Sequence, residues 1–260
     1  MIGITINSAL DQEGPGDSCT RLAANSYKIQ HLTVVDLGLI EYRAAWDTQL
    51  YWHDQVRMEQ HPEGVLLLVE HPPVITIGRH PGAEKHLLAD TAALAQKGVA
   101  VEATDRGGDI TFHGPGQLVM YPIIPLNAYN LGLHDYMRIL ESAVIQTLTR
   151  FNLRGRREEG ATGVWLPSTR GGVDGMAKVC AIGVKLRRWI SLHGLALNIT
   201  TDLAYFDLIN PCGLGRPMTS MATELGASCP DIKAVKMALV REISALLTSL
   251  NPRTAGPLET

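Results

Sequence analysis

Three stretches of the chain hold residues whose types and spacing suit chemistry. The first runs Arg106-Gly107-Gly108-Asp109-Ile110-Thr111-Phe112-His113-Gly114-Pro115-Gly116-Gln117. Glycine pairs bracket a short strand, and glycine lets backbone come close to a ligand or to another chain segment. Alternation along a strand puts Asp109, Thr111 and His113 on one face. No Gly-Lys-Ser/Thr follows the glycines, so this is not a nucleotide P-loop. A tight hairpin with a satisfied histidine is the plainer reading of the same residues. The second stretch is Lys178-Val179-Cys180-Ala181-Ile182-Gly183-Val184-Lys185-Leu186. As a strand it puts Lys178, Cys180, Ile182, Val184 and Leu186 on one mostly apolar face, with Lys185 and Arg187 opposite. A lysine at the mouth of such a face loses preference for its charged form and moves toward the range useful for proton transfer. The alternative is a lysine snorkelling from a strand end. The third stretch, Asn210-Pro211-Cys212-Gly213-Leu214-Gly215, sets a cysteine in a turn. A reachable thiolate is a nucleophile, and near neutral pH it needs a nearby cation to ionise. Lone cysteines are more often structural, and that reading stays open for Cys212. Cys180 in its apolar strand, Cys19 in a polar segment and Cys229 beside Pro230 are poorer candidates.

Composition bounds what such groups could serve. The chain has 260 residues, 45% hydrophobic and 19% charged, which is ample for a buried core and typical of a globular protein. The formal net charge is −3, so no global positive field exists to hold nucleic acid or anionic lipid. No apolar run approaches the ~20 residues of a membrane span. The four cysteines have neither CxxC nor zinc-ligand spacing, which points to free thiols in a reducing cytoplasm and to no bound metal. No secretory or transit signal is visible at the start of the chain.

The elements that must position the candidates follow from hydrophobic period and turn residues. Strands are expected at 32–37, 65–70, 74–78, 99–104, 109–113, 117–124, 178–189 and 191–199. Helices are expected over 40–60, from a stripe through Tyr42, Trp46 and Leu50, over 90–97 with Asp90 as cap, over 134–151 and over 231–250. The Gly/Ser/Pro-rich residues 160–177 read as a loop or open hairpin. Residues 1–30 read as a polar, mobile extension, 31–252 as one domain and 253–260 as a tail. Helices scattered among clustered strands indicate an α+β domain with a mixed or antiparallel sheet.

In this order, EHPPVITIGR (70–79), RGGDITFHGPGQLVMYPI (106–123), KVCAIGV (178–184), SLHGLALNI (191–199) and INPCGL (209–214) resemble the octanoyltransferases of lipoate biosynthesis over roughly residues 33–250. The resemblance implies the fold of the biotin/lipoate protein ligase catalytic domains, a mixed sheet flanked by helices. It implies transfer of an octanoyl or lipoyl group from acyl carrier protein to a specific lysine of a lipoyl domain, with no cofactor. The acceptors would be 2-oxoacid dehydrogenase complexes and the glycine cleavage H protein, and the enzyme a cytoplasmic monomer with no nucleic-acid or membrane partner. Cys212 would form a thioester acyl-enzyme, and Lys178 would stabilise the thiolate and manage protons. By the same correspondence Arg106, Gly107, Gly108, Asp109, Ile110, Thr111, Phe112, His113, Ala181, Ile182, Gly183, Gly194, Leu195 and Ala196 would line the acyl and substrate pocket. Backbone amides near Gly213 or Gly183 could form an oxyanion hole. His113 or His193 as the base for Cys212 is a weaker assignment. Loop 167–177 is longer than expected before the lysine and reads as a tolerated insertion. Arg187-Arg188 or Arg154 to Arg157 are candidates for docking the acidic carrier protein. The rival readings are an ATP-dependent lipoate protein ligase, an amidotransferase moving octanoyl between proteins, and a non-catalytic carrier-binding module.

Overall fold

Val65–Glu70 (VLLLVE) carries apolar side chains on both faces, and a strand of that kind must be covered on both sides. The computed structural model, which describes residues 5–6, 26–171, 174–210 and 216–250, shows how. Leu66 and Leu68 enter one core cluster, and Val65, Leu67 and Val69 enter another on the opposite face. The strands are β1 Thr5–Ile6, β2 Ser26–Ile29, β3 Leu32–Leu39, β4 Val65–Glu70, β5 Val74–Ile77, β6 Ala100–Ala103, β7 Ile110–His113, β8 Gln117–Ile123, β9 Arg156–Glu158, β10 Ala161–Pro167, β11 Met176–Arg187 and β12 Ile190–Asn198. Among the described residues they form a nine-stranded sheet, β1-β2-β3-β4-β8-β12-β11-β10-β9, and a three-stranded one, β6-β5-β7. Only β3/β4 and β5/β6 are parallel pairs, so both sheets are mixed. The fold is α+β, as expected.

Helices α3 (Leu133–Arg150) and α5 (Ile232–Leu250) cover one face of the large sheet. Tyr136, Leu140, Ala143, Val144 and Leu148 recur at helical spacing on α3 and are fully buried. Helix α1 (Tyr42–Arg57) covers the other face. Its buried stripe is Tyr42, Ala45, Gln49, Trp52 and Val56, while Trp46 and Leu50 are only half buried. The stripe is rotated from the expected one because polar side chains serve in it. Gln49 Oε1 accepts from the His193 backbone N–H at 2.7 Å. Short helix α2 (Thr91–Gln96) packs beside the small sheet, capped by Asp90, which accepts from Ala93 N at 2.8 Å. Helix α4 (Met221–Leu225) precedes α5.

One expectation changes and one alternative is decided. Residues 26–29 are not extension but strand β2, paired antiparallel with β3; the side chains of residues 1–25 lie outside the described residues. Of the two readings for 160–177, the hairpin holds: β10 is its first arm, pairing antiparallel with β11.

The sheet is tightest where β12 crosses β8. A Cβ on Gly194 would lie 2.1 Å from Met120 O, a backbone atom that cannot swing aside. Gly194→Ala should therefore cost about 1–3 kcal/mol as overpacking. A urea midpoint shift measures it, and an unchanged midpoint would show that β8 moves freely.

Candidate active site

The small sheet is docked on the large one by glycine. The turn Arg106–Asp109 enters β7, and Gly107 N donates to Val184 O on β11 at 2.9 Å. A Cβ on Gly183 would meet Gly107 O at 2.7 Å, so the close approach needs a bare backbone on β11; a Cβ on Gly107 would lie a tight 3.1 Å from Val184 O. Residues 78–80 bind the turn from behind: Gly78, Arg79 and His80 N–H groups donate to Asp109, Arg106 and Gly108 carbonyls at 3.0–3.2 Å. The HGPG turn is tied down by Glu70, whose carboxylate accepts from Gly116 N at 3.0 Å. These contacts explain why the Glu70–Arg79 and Arg106–Gln117 runs occur together.

Between the two sheets lies a cavity of about 520 Å³. Arg106, Gly107, Gly108, Asp109, Ile110, Thr111 and His113 line it from the small-sheet side. Ala181, Ile182 and Gly183 on β11, with Gly194, Leu195 and Ala196 on β12, line it from the large sheet. Phe112 is the exception. Alternation turns it into the small-sheet core, where its ring stacks on Tyr205 at 4.7 Å, so it does not line the pocket. Lys178 reaches the cavity, and so do Arg216 and Met218. Cys212 and Gly213 lie outside the described residues.

Lys178 reaches the cavity by a route that strict alternation does not give. Trp165 pairs with Lys178 and Val164 with Cys180, so Val179 is an extra residue, a β-bulge. Val179 and Cys180 both turn into the α3/α5 core, and Lys178 falls on the opposite face from Cys180, not the same one. Burial pushes the Cys180 thiol up to about 12, leaving it inert. The lysine stem lies over Gly163, whose own φ is +119° and whose Cβ would strike Cys180 O at 2.5 Å. The Lys178 Nζ sits 4.7 Å from the centre of the Trp165 ring. Lys178 N and O bond to Pro217 O and Thr219 N, both at 2.9 Å, tying the lysine to the segment just after residues 211–215.

The surrounding polar groups are fixed and mostly neutral. Arg106 Nη2 donates to Thr76 O at 2.7 Å and to Thr76 Oγ1 at 3.0 Å. Asp109 is bound by His86 Nδ1 and by Ile110 N. His113 Nδ1 donates to Gln117 Oε1 at 2.7 Å, and Gln117 continues to Asn198 and Thr219. His71 Nδ1 donates to Ile40 O at 2.8 Å, and its Nε2 accepts from Tyr121 Oη at 2.7 Å. Burial pulls His71 down to about 4 and His113, beside it, to about 3. His193 Nε2 contacts Asp105 at 2.7 Å; burial lowers its basicity despite that carboxylate. Among the described residues no three His, Cys, Asp or Glu side chains gather as metal ligands.

Sequence reasoning missed Trp165, Gly163 and Arg216. Trp165 and Gly163 lie in the stretch read as loop or hairpin, where a Trp two residues after a Gly was the available signal. Arg216 follows the cysteine segment by four residues but belongs to no resembling run. The basic run Arg154 to Arg157 is partly engaged inside the protein: Arg157 bonds Glu141 and Ser142, and Arg156 bonds Glu158.

Residues 41–244 match the family described as the lipoyl protein ligase A/B catalytic domain. The chain is 41% identical over 223 residues to an octanoyltransferase of Flavobacterium psychrophilum, covering 81% of this chain and 94% of that one. It is 46% identical over 224 residues to an octanoyltransferase of Chloroflexus aurantiacus, covering 85% and 96%. Among solved structures, lipoate-protein ligase A bound with ATP superposes with a TM-score of 0.63 at 18% identity, covering 83% of this chain and 84% of that one. A putative lipoate protein ligase of Thermoplasma acidophilum with bound lipoic acid gives 0.62 at 17%, covering 82% and 85%. At those identities the structures speak for the fold alone.

The depressed histidines carry a pH signature. Both fall below the ordinary value of 6.5, so the unfolded chain binds more protons between about pH 6.5 and 4. Stability should drop as pH falls through that window. His71→Gln should flatten the dependence by up to about 1.4 kcal/mol per pH unit, read from urea midpoints at stepped pH. An identical slope in the variant would mean His71 titrates normally in the fold.

Proposed function

The chain belongs to the lipoyl protein ligase A/B catalytic-domain family and is an octanoyltransferase of protein lipoylation, and we propose that it works through a covalent Cys212 relay served by Lys178. In the first half-reaction the Cys212 thiolate attacks the carbonyl carbon of an octanoyl thioester on acyl carrier protein. The carrier's sulfur leaves with the proton given up by the Lys178 ammonium, and the octanoyl group is held on Cys212. One thioester replaces another, so no ATP is needed. In the second half-reaction the amine of a lipoyl-domain lysine attacks the new thioester. An amide forms, the amine gives up a proton, and the Cys212 thiolate is restored. Lys178 as an ammonium stabilises the thiolate; as a free amine it takes the acceptor's proton.

The observation that carries this reading is the position of Lys178 in the cavity. Its ammonium is delivered there by the bulge, away from Cys180. Arg216, four residues along the chain from Cys212, lines the same space. A volume of about 520 Å³ suits a small acyl ligand. The glycines and alanines at 107, 108, 181, 183, 194 and 196 keep it open for an extended chain. Arg106, Asp109 and His113 supply the polar end. His113 holds its proton on Nδ1 toward Gln117 and is a poor base, which favours the lysine over a Cys-His pair. We place the donor's carrier protein and the acceptor lipoyl domains outside the cavity as successive partners of a monomer.

Intact-mass measurement after mixing with octanoyl carrier protein, without ATP, tests the relay. One octanoyl adduct should appear, map to Cys212 and be absent in Cys212→Ser. Lys178→Ala should slow its formation about 10²–10⁴-fold. Transfer only in the presence of ATP would instead identify a ligase, and normal acylation by Lys178→Ala would remove the lysine from the mechanism.

A further inference from the structure

Lys178 is gripped by groups that no other part of the mechanism uses. Its stem lies on Gly163, with Cδ and Cε 3.5 Å from where a Cβ would stand. Its ammonium faces the ring of Trp165, which is 2% exposed and fixed by an Nε1 bond to Ala161 O at 3.1 Å. Arg216 lies over the same ring, its Cζ 3.8 Å from the centre. That guanidinium is paired with Asp174 and, at 3.6 Å, with Glu158. Another charge near the lysine stem is Glu141, whose Oε1 accepts from Gly163 N at 3.2 Å and which also binds Arg138 and Arg157. The nearby arginine is thus compensated by two carboxylates, and Glu141 by two arginines. Beside these paired charges the negative face of the indole meets the ammonium.

We infer that Trp165 is a positioning residue for Lys178: its ring fixes where the ammonium stands in the cavity and sets how readily the lysine gives up its proton. This rests on the reading of Lys178 as the group that handles protons, and it adds what tunes that group. An ammonium over a π face is favoured over the free amine, because only the cation is attracted by the ring quadrupole. Partial burial of the lysine in the cavity works the other way. Their opposition holds the lysine between the charge state that stabilises a thiolate and the one that accepts a proton from the incoming amine. The connection that carries Asp174, which in the sequence reads as a tolerated insertion, then gains a role. Together with Glu158, Asp174 neutralises the second cation on the ring.

The test replaces Trp165 alone with mono-, di- and tetrafluorotryptophan, which keep its shape while weakening the π face in steps. The titration of Lys178 is followed by NMR of its side chain, assigned by loss of the signal in Lys178→Arg. The midpoint should fall stepwise, by about one pH unit over the series. The pH profile of Cys212 acylation should move with it. Trp165→Phe, which keeps a ring, should stay nearer the wild-type profile than Trp165→Leu. A midpoint unchanged across the fluorinated series overturns the inference. A midpoint that moves while the acylation profile stays still upholds the ring contact and overturns the proton role of Lys178 instead.

Discussion

The site exists because two backbones touch without side chains between them. Gly107 and Gly183 bring the small sheet against β11, closed by one hydrogen bond from Gly107 N to Val184 O. A side chain at Gly183 would strike Gly107 O at 2.7 Å and wedge the sheets apart, and one at Gly107 would press on Val184 O at 3.1 Å. The remaining contacts around the turn hold it in place from the other side. Residues 78–80 bond its carbonyls, Arg106 folds back onto Thr76 and Asp109 meets His86, so the same turn that touches β11 is held from the small-sheet side. The apolar floor is thus set by main chain, and the polar end by side chains whose partners lie within the small sheet and its flanks.

Much of this was legible in the residues themselves. The continuous apolar run at 65–70, the amphipathic pattern at 134–151 and the Asp90 cap each report a local physical need, and each element appears close to its expected bounds. The glycine-bracketed strand was legible as a close approach, since glycine there serves a backbone and not a side chain. What sequence pattern missed depends on long-range partners. Gln49 counts as polar on a helical wheel, but its hydrogen bond to β12 makes it an interior residue. Strand β2 looks like a polar extension until β3 pairs with it. Period-two counting puts Lys178 on the wrong face because it assumes an unbroken ladder. Nothing within 178–186 announces the extra residue at Val179; only its pairing with β10 reveals it.

Electrostatically the cavity wall is quiet. His71 and His113 are buried with both ring nitrogens near a partner, and they stay neutral through the physiological range. At Asp105, burial opposes ionisation, but the hydrogen bonds from Lys185 and His193 prevail and hold its carboxyl below the usual range. Neutral histidines beside paired charges leave little to compete with a thioester carbonyl or an incoming amine. In a site proposed to pass an acyl group between two proteins, neutral histidines are consistent with a lysine as the group that handles protons.

The bulge in β11 divides one strand into two segments with independent phase. Upstream of Val179 the pleat turns Lys178 to the cavity, while Val179 and Cys180 turn to the core under α3 and α5 and the strand then returns to the cavity wall at Ala181, Ile182 and Gly183. A strand without it would have to satisfy both with one alternation, so a change in core packing would rotate the lysine. With it, Val179 and Cys180 can answer to core packing while the lysine keeps its bearing. The bulge is a phase joint: it lets one strand turn a lysine to the cavity and, two residues on, a thiol to the core.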